Sequence, residues 1–431
     1  MKILLIGSGG REFALAWKMG CSSIVERIIV LPGNDAMERL SKVSCRSGDP
    51  NNIEYIVNIV KQNKIDLVVV GPEEFLKLGI SDKLRKEGVL VFGPSAESAQ
   101  IESSKIFAKT FMYDNDIPTC KSIFCDSYDA ARTIVKNWDF SKEIVIKVDG
   151  LAAGKGVVVT NNKETAYKAL FDFMKNKDCR VKTDKILIEK KLSGKEVSAF
   201  AICDGKDFIN LGYVCDYKRA KDFDKGPNTG GMGCYTPKNW PSDSVKKVIN
   251  EQIFQKVING MNNNGYPYKG ILYAGLMIGV NNEVNVIEFN SRFGDPETQT
   301  LLPLIDEDLV PILKSASEGN LWKIRRDNDV ALKNKVAVHV TMASKGYPSI
   351  DGYPLATGEN ITYPENLDKK SGIIFFAGVK KNTNGKFINT GGRVLGVTSL
   401  GSTIESAMTK VYEIISKISF RGAHWRTDIG K

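Results

Sequence analysis

Glu288, Asn290 and Arg292 stand at alternate positions where the apolar run from Val284 ends. In an extended chain, residues two apart share a face. A carboxylate and an amide oxygen on one face are the hard oxygen donors that a phosphate-bound Mg²⁺ takes from a protein. A guanidinium on that face, or just beyond it, suits a phosphoryl oxygen. Asp295 and Glu297 add carboxylates within the run Arg292-Phe293-Gly294-Asp295-Pro296-Glu297-Thr298-Gln299. A solvated acidic edge closed by a proline turn would leave this regular alternation of carboxylate, amide and guanidinium unexplained.

Two glycine-rich turns also bear on phosphate chemistry. Gly7-Ser8-Gly9-Gly10-Arg11-Glu12 follows a short apolar strand and precedes a helical pattern. A dinucleotide fingerprint would place a third glycine where Glu12 stands, which disfavours a nicotinamide cofactor. The backbone amides of Gly9 and Gly10 at a helix start, with Arg11 beside them, suit a single phosphate. An ordinary tight turn between strand and helix fits equally well. The second turn, Asp149 to Gly156, contains Gly154, Lys155 and Gly156 between two strands. It lacks the Ser/Thr of a Walker A loop and reads as a flap over a triphosphate, or as a loose hairpin with a surface lysine. Lys147, in Val145-Ile146-Lys147-Val148, either meets an anion or turns to solvent. Gly230, Gly231 and Gly233, in the polar stretch 216–233, would let main chain approach a ligand closely. That stretch is expected to be a long ordered loop.

Composition excludes several function classes. Hydrophobic residues at 42% and charged residues at 26% are those of a globular protein, not a disordered one. The longest apolar run, Ile271 to Val280, is too short to span a bilayer. The first residues, Met1 to Gly7, are too short an apolar stretch for a signal-peptide core. Eight cysteines are scattered without a Cys-x-x-Cys pair, so reduced thiols and a cytoplasmic location are expected. Two histidines, His339 and His424, leave little room for a zinc site or a His-based triad. The net charge of +10 is spread along the chain, without basic clusters or RNA-type aromatic motifs. It suits phosphorylated small substrates better than nucleic acid.

The elements that must position these residues follow from periodicity. Strands over 2–6, 27–31, 66–70 and 89–92 alternate with helices, which predicts a doubly wound parallel α/β sheet with ligands at the strand carboxyl ends. A helix is expected with Ser103-Ser104-Lys105 near its middle. Strands over 143–148, 157–160 and 185–189 with a helix over 163–176 predict a small α+β module. An antiparallel pair over 197–209, a helix over 244–264, and strands over 270–279 and 283–289 follow. Further strands are expected over 335–343, 372–380 and 393–399.

Together these motifs resemble the ATP-grasp family and, more closely, the phosphoribosylamine–glycine ligase family of purine biosynthesis. The resemblance covers nearly the whole chain, including Gly71-Pro72-Glu73, Gly93-Pro94, Leu272-Tyr273-Ala274-Gly275 and Gly391-Gly392-Arg393-Val394. The octapeptide 292–299 is its most specific part. It implies an α/β architecture of an N-terminal domain (1–103), an ATP-grasp core (104–120 and 191–327), a small mobile subdomain (121–190) and a C-terminal mixed domain (328–431). The implied reaction is ATP-dependent ligation of glycine to 5-phosphoribosylamine through glycyl phosphate. By resemblance, Lys105 and Lys147 contact ATP phosphates under the flap bearing Gly154, Lys155 and Gly156. Glu189 begins the adenine-reading segment, and Glu196 meets the ribose. Glu288 and Asn290 hold Mg²⁺ or Mn²⁺, and Arg292 stabilises the transferring phosphoryl group. Asp216, Gly294, Asp295 and Pro296 lie on the glycine side, with Asn228, Thr229 and Gly230 also binding substrate. Gly9, Gly10 and Arg11 receive the phosphoribosylamine phosphate. A cytoplasmic monomer without nucleic-acid or membrane partners is expected. Phe13 and Tyr217 stand where the family commonly has histidine. Another ATP-grasp ligase or carboxylase, or a non-catalytic nucleotide sensor, remains the alternative.

Overall fold

Ile3–Ile6, Ile28–Leu31 and Leu67–Val70 are continuous apolar runs, and all are buried on both faces. That is the pattern of parallel strands covered by helices. In the computed structural model, they form the middle of a five-stranded parallel sheet, ordered Val43–Cys45, Arg27–Pro32, Lys2–Gly7, Leu67–Val70, Leu90–Phe92. The structure describes residues 1–152, 156–176, 178–179, 181–324, 329–349, 354–368 and 370–431. The edge strand Val43–Cys45 escapes sequence reading because three residues show no periodicity. The chain leaves Lys2–Gly7 toward one edge and later returns to its other side. This reversal opens a crevice at the strand carboxyl ends, where an open α/β sheet binds ligands. Arg11 and Glu73 enter it from the helices that follow, Gly10–Gly20 and Glu73–Lys77.

The helix expected through Ser104 is broken there. Gln100–Ser103 ends, Ser104 is extended (φ −135°, ψ 117°), and Lys105–Asp114 begins. The Ser104 hydroxyl accepts the Phe107 N–H (3.1 Å) and donates to Asp149 Oδ1 (3.0 Å), which also accepts the Ile106 N–H (3.1 Å). Two capping oxygens thus start a helix where periodicity runs on. Lys105 becomes its first residue.

The small module is a four-stranded antiparallel sheet, ordered Ser122–Cys125, Ile186–Lys190, Ile144–Val148, Val157–Thr160. Ile144, Ile146, Ile186 and Ile188 pack on the helices Tyr128–Lys136 and Lys163–Met174. The alternate residues Val145, Lys147, Leu187 and Glu189 face the other way.

A larger sheet has eight strands, ordered Val284–Asn290, Lys269–Ile278, Lys195–Asp204, Phe208–Asp216, Gly233–Tyr235, Val336–Ala343, Arg393–Gly401, Ile373–Phe376. Val197, Ala199 and Ala201 meet one core with Phe254 and Val257, while Phe200 and Ile202 meet another with Leu309 and Leu313. The strands of the central and C-terminal segments are therefore continuous, joined at Cys234, which pairs with Asp216 on one side and His339 on the other. The stretch expected as a loop carries a hairpin, Arg219–Lys221 with Lys225–Asn228, turning through left-handed Phe223 and Asp224. The strand expected over 372–380 is two, Ile373–Phe376 and Val379–Lys381. Among the described residues, no helix is long and apolar enough to cross a membrane.

Candidate active site

A cavity of about 620 Å³ lies where the small sheet, the large sheet and the parallel-sheet crevice meet. That volume suits a nucleotide-sized ligand. Met112, Val145, Leu187, Leu192 and Met277 supply apolar lining, and Lys105, Lys147, Lys218 and Arg292 gather about Glu288, with Asn290 also in the wall. The sequence-predicted Gly156, Glu189, Glu196, Asp216, Asn228, Thr229, Gly230, Asp295 and Arg11 also line it. Gly154 and Lys155 lie outside the described residues.

Strand alternation turns Lys147 into the cavity rather than toward solvent. It meets Glu189 Oε2 at 2.7 Å, and Lys109 meets Glu189 Oε1 at 2.8 Å. These side chains are only 2% (Glu189), 2% (Lys109) and 8% (Lys147) exposed. Burial alone would raise the Glu189 pKa, but Lys147 and then Lys109 hold it down to about 2. The Glu189 carboxylate is thus taken up by two ammonium groups. The backbone continues from it into Lys190, Lys191 and Leu192, all of which line the cavity.

Arg292 is held from two sides. Its Nε donates to Glu73 Oε2 (3.0 Å), and its Nη2 lies 3.1 Å from Glu102 Oε1. Glu102 in turn accepts the Ser291 N–H and hydroxyl, each at 2.8 Å. Burial would weaken the charge on Arg292, but Glu102 and Glu73 raise its pKa above the ordinary value. The side chain is therefore a fixed cation with further N–H groups to offer.

Glu288 and Asn290 face the same cavity from Val284–Asn290. Burial opposes ionisation of Glu288, yet Lys218, Lys147, Lys105 and Arg292 together keep its pKa below the usual carboxylate range. Among the described residues, the side chains of Glu288 and Asn290 have no hydrogen-bond or ion-pair partner. An ionised carboxylate and a nine-tenths-buried amide left open side by side fit a hard divalent cation that brings its own phosphate ligands. The described residues hold no cluster of three or more His, Cys, Asp or Glu side chains that would bind such an ion alone. Gly275, opposite Glu288 on the neighbouring strand, supplies no second carboxylate.

Beyond this pair, Lys218 forms a short ion pair with Glu196 and lies 3.8 Å from Asp216. Burial, helped by Glu196 and Glu297, raises the Asp216 carboxyl to about 7 against the pull of Lys218. The folded chain then holds a proton that the unfolded chain has released, so this group's contribution to stability is lost as pH rises from about 4 through about 7. Asp216→Asn is expected to match wild type in urea unfolding near pH ~4.5 and to exceed it near pH ~7.5. An equal difference at both pH values would mean that Asp216 titrates normally.

The glycine-rich segments have unequal roles. Asp295 is bound by Arg393 (3.2 Å) and Gln299 (2.7 Å), and Arg393 also donates to the Gly230 carbonyl (2.7 Å). Gly9, Gly10, Gly294 and Pro296 are not in the cavity wall. The Gly9 N–H donates to Glu12 Oε2 (2.7 Å), and Arg11 is tied to Glu12 Oε1 (2.5 Å) and the Phe293 carbonyl (3.1 Å). The helix start expected to offer free phosphate donors is therefore already capped by a carboxylate, although Arg11 still reaches the cavity. A Cβ on Gly7 or Gly71 would strike the Glu12 side chain at 2.6 or 2.1 Å, so these glycines make room for it. Pro296 packs behind the wall, 2.4 Å from where a Gly231 Cβ would stand.

Sequence reading missed Lys109 and Glu102 as site residues. Lys109 carried a signal, since it falls on the apolar face of its helix between Ala108 and Met112. Glu102 carried none. Phe13 does not face the cavity but joins an aromatic cluster with Phe375 and Phe376. His339 is a core residue bonded to Thr398 (2.8 Å), and burial lowers its pKa to about 3.

The chain matches family models for the phosphoribosylglycinamide synthetase N domain (residues 1–102), ATP-grasp (A) domain (103–298) and C domain (337–431). It is 41% identical to a phosphoribosylamine–glycine ligase of Leptospira interrogans, over 100% of this chain and 98% of that one. A bifunctional purine biosynthetic protein of Dictyostelium discoideum is 40% identical over the whole chain, which spans about half (54%) of that protein's length. The crystal structure of a phosphoribosylamine–glycine ligase from Thermotoga maritima superposes with a TM-score of 0.84 at 34% identity, covering 99% of this chain and 100% of that one. With an ATP-grasp core opening onto these charges, the chain belongs to the phosphoribosylamine–glycine ligase family.

Proposed function

We propose that the chain joins glycine to 5-phosphoribosylamine at the expense of ATP, giving glycinamide ribonucleotide, ADP and phosphate. The carrying observation is the convergence of Lys105, Lys147, Lys218 and Arg292 on Glu288, beside Asn290, neither of which has a side-chain partner among the described residues. Phosphoryl transfer asks mainly for positioning and charge neutralisation, which fixed cations supply without a histidine.

The adenine fits the apolar lining, beside the backbone after Glu189, with Glu196 for the ribose. Lys105, Lys147 and Gly156 meet the phosphates. Glu288 and Asn290 would hold Mg²⁺ (or Mn²⁺), whose chemistry is to neutralise phosphate charge and polarise the γ-phosphoryl group. Arg292 stays charged against that group as a glycine carboxylate oxygen attacks phosphorus and ADP leaves. Asp216, Asp295 and the segments carrying Asn228, Thr229, Gly230, Gly294 and Pro296 hold glycine. The phosphoribosylamine amine then attacks the acyl carbon and phosphate departs. Its own phosphate enters beside Arg11, at the crevice that begins with Gly9 and Gly10. All eight cysteine thiols are free in the fold, which supports a reducing, cytoplasmic setting. The same proposal takes the protein as a monomer that binds small molecules and not nucleic acid.

The test is phosphate release from ATP and Mg²⁺ with freshly made phosphoribosylamine, with and without glycine. One glycinamide ribonucleotide per phosphate, requiring both co-substrates, is expected. Release independent of glycine would point to another acceptor for the same ATP-grasp chemistry.

A further inference from the structure

Around Asp216 the chain is extended, so Asp216 and Lys218 face the cavity while Tyr217 faces away. Tyr217 meets the segment 426–431. Its hydroxyl donates to the Lys431 carbonyl (3.1 Å) and accepts the Gly430 N–H (3.1 Å). The Arg426 guanidinium lies 4.6 Å from the centre of its ring, within cation–π range.

Arg426 is only 1% exposed, and it is the hub of this contact. It donates to both Asp428 oxygens (2.8 and 2.7 Å), to Asp224 (2.8 Å) and to the Arg219 carbonyl (3.2 Å). Asp428 accepts the Phe223 N–H (2.8 Å), and Asp222 accepts the Thr427 N–H and hydroxyl (2.8 and 2.6 Å). The segment thus grips Tyr217 and the tip of the hairpin that follows Lys218, and none of these residues lines the cavity.

We infer that residues 426–431 position the Asp216–Lys218 pair through Tyr217, and thereby set how the acceptor amino acid is held. This rests on the ligase reading above. The two side chains differ in how far they can adapt. The long stem of Lys218 can follow Glu196 if the backbone shifts, whereas the short Asp216 carboxylate moves with it. Losing the Tyr217 anchor should therefore weaken the glycine side and spare the nucleotide side.

Tyr217→Phe keeps the ring and its contact with Arg426 but removes both hydroxyl bonds. Arg426→Lys keeps a cation beside Asp428 but loses the planar fork. Each variant is expected to raise the KM for glycine about 5- to 20-fold while the KM for ATP changes less than about twofold. A purely structural defect would lower kcat through a smaller active fraction and leave both KM values unchanged. Such a result, or wild-type kinetics in both variants, overturns the inference. Wild type run alongside separates the two claims. If it makes glycinamide ribonucleotide, an unchanged KM for glycine in the variants overturns this inference alone. If it makes none, the ligase reading falls and this inference with it.

Discussion

Glu288→Ala is expected to reduce glycine-dependent phosphate release by at least about 10²- to 10³-fold, with much less effect on folding. Its carboxylate has no ion pair among the described residues to lose. What it faces is a field of Lys218, Lys147, Lys105 and Arg292, and that field keeps it ionised. Removing it takes away the carboxylate that those cations keep ionised, so metal-dependent ATP binding should weaken too. Urea unfolding near neutral pH checks the folding half of the expectation, and single-turnover phosphate release checks the other. Near-normal turnover with unchanged metal dependence would remove Glu288 from the chemistry.

The second large effect is on stability. Glu189→Gln is expected to cost about 3–5 kcal/mol, because it strands two buried ammonium groups. Replacing the whole triad, as Lys109→Met, Glu189→Leu and Lys147→Met together, should recover most of that loss while abolishing ATP use. The sign with pH follows from the depressed carboxyl. Its contribution is complete above its ordinary value of 4.5 and disappears as pH falls toward about 2. Wild type should therefore lose stability on acidification more steeply than the triple variant. A Glu189→Gln protein as stable as wild type at neutral pH would show that the ammonium groups find other partners.

What was legible in the sequence shared a mechanism with what was not. Glu288, Asn290 and Arg292 could be placed together because a strand fixes the face of every second residue. The parallel sheet of the first hundred residues was legible because its strands are apolar on both faces. The partners that fix Arg292 lie 219 and 190 residues away, at Glu73 and Glu102, and no local period joins them. Lys147 could point either way until the packing of Ile144 and Ile146 on the helices chose its face. The hairpin over 219–228 has only Ala220 buried in its first strand, too little apolar alternation to tell it from a loop. At the first glycine turn, composition suggested an open phosphate corner, but the reach of Glu12 back to Gly9 is set by rotamer and cap geometry. The resemblance contributed the reaction and the roles, which no periodicity contains.

The strand Gly233–Tyr235 is only three residues long, yet it is the seam of the large sheet. A chain cut before Val336 would keep its own half of the seam and expose a row of unpaired amides and carbonyls along it. Such an edge invites pairing with a second copy. Termination before Val336 should therefore yield insoluble material rather than a shortened, slower catalyst. In a fused polypeptide, the whole span through Arg393–Gly401 has to leave the ribosome before the sheet can close.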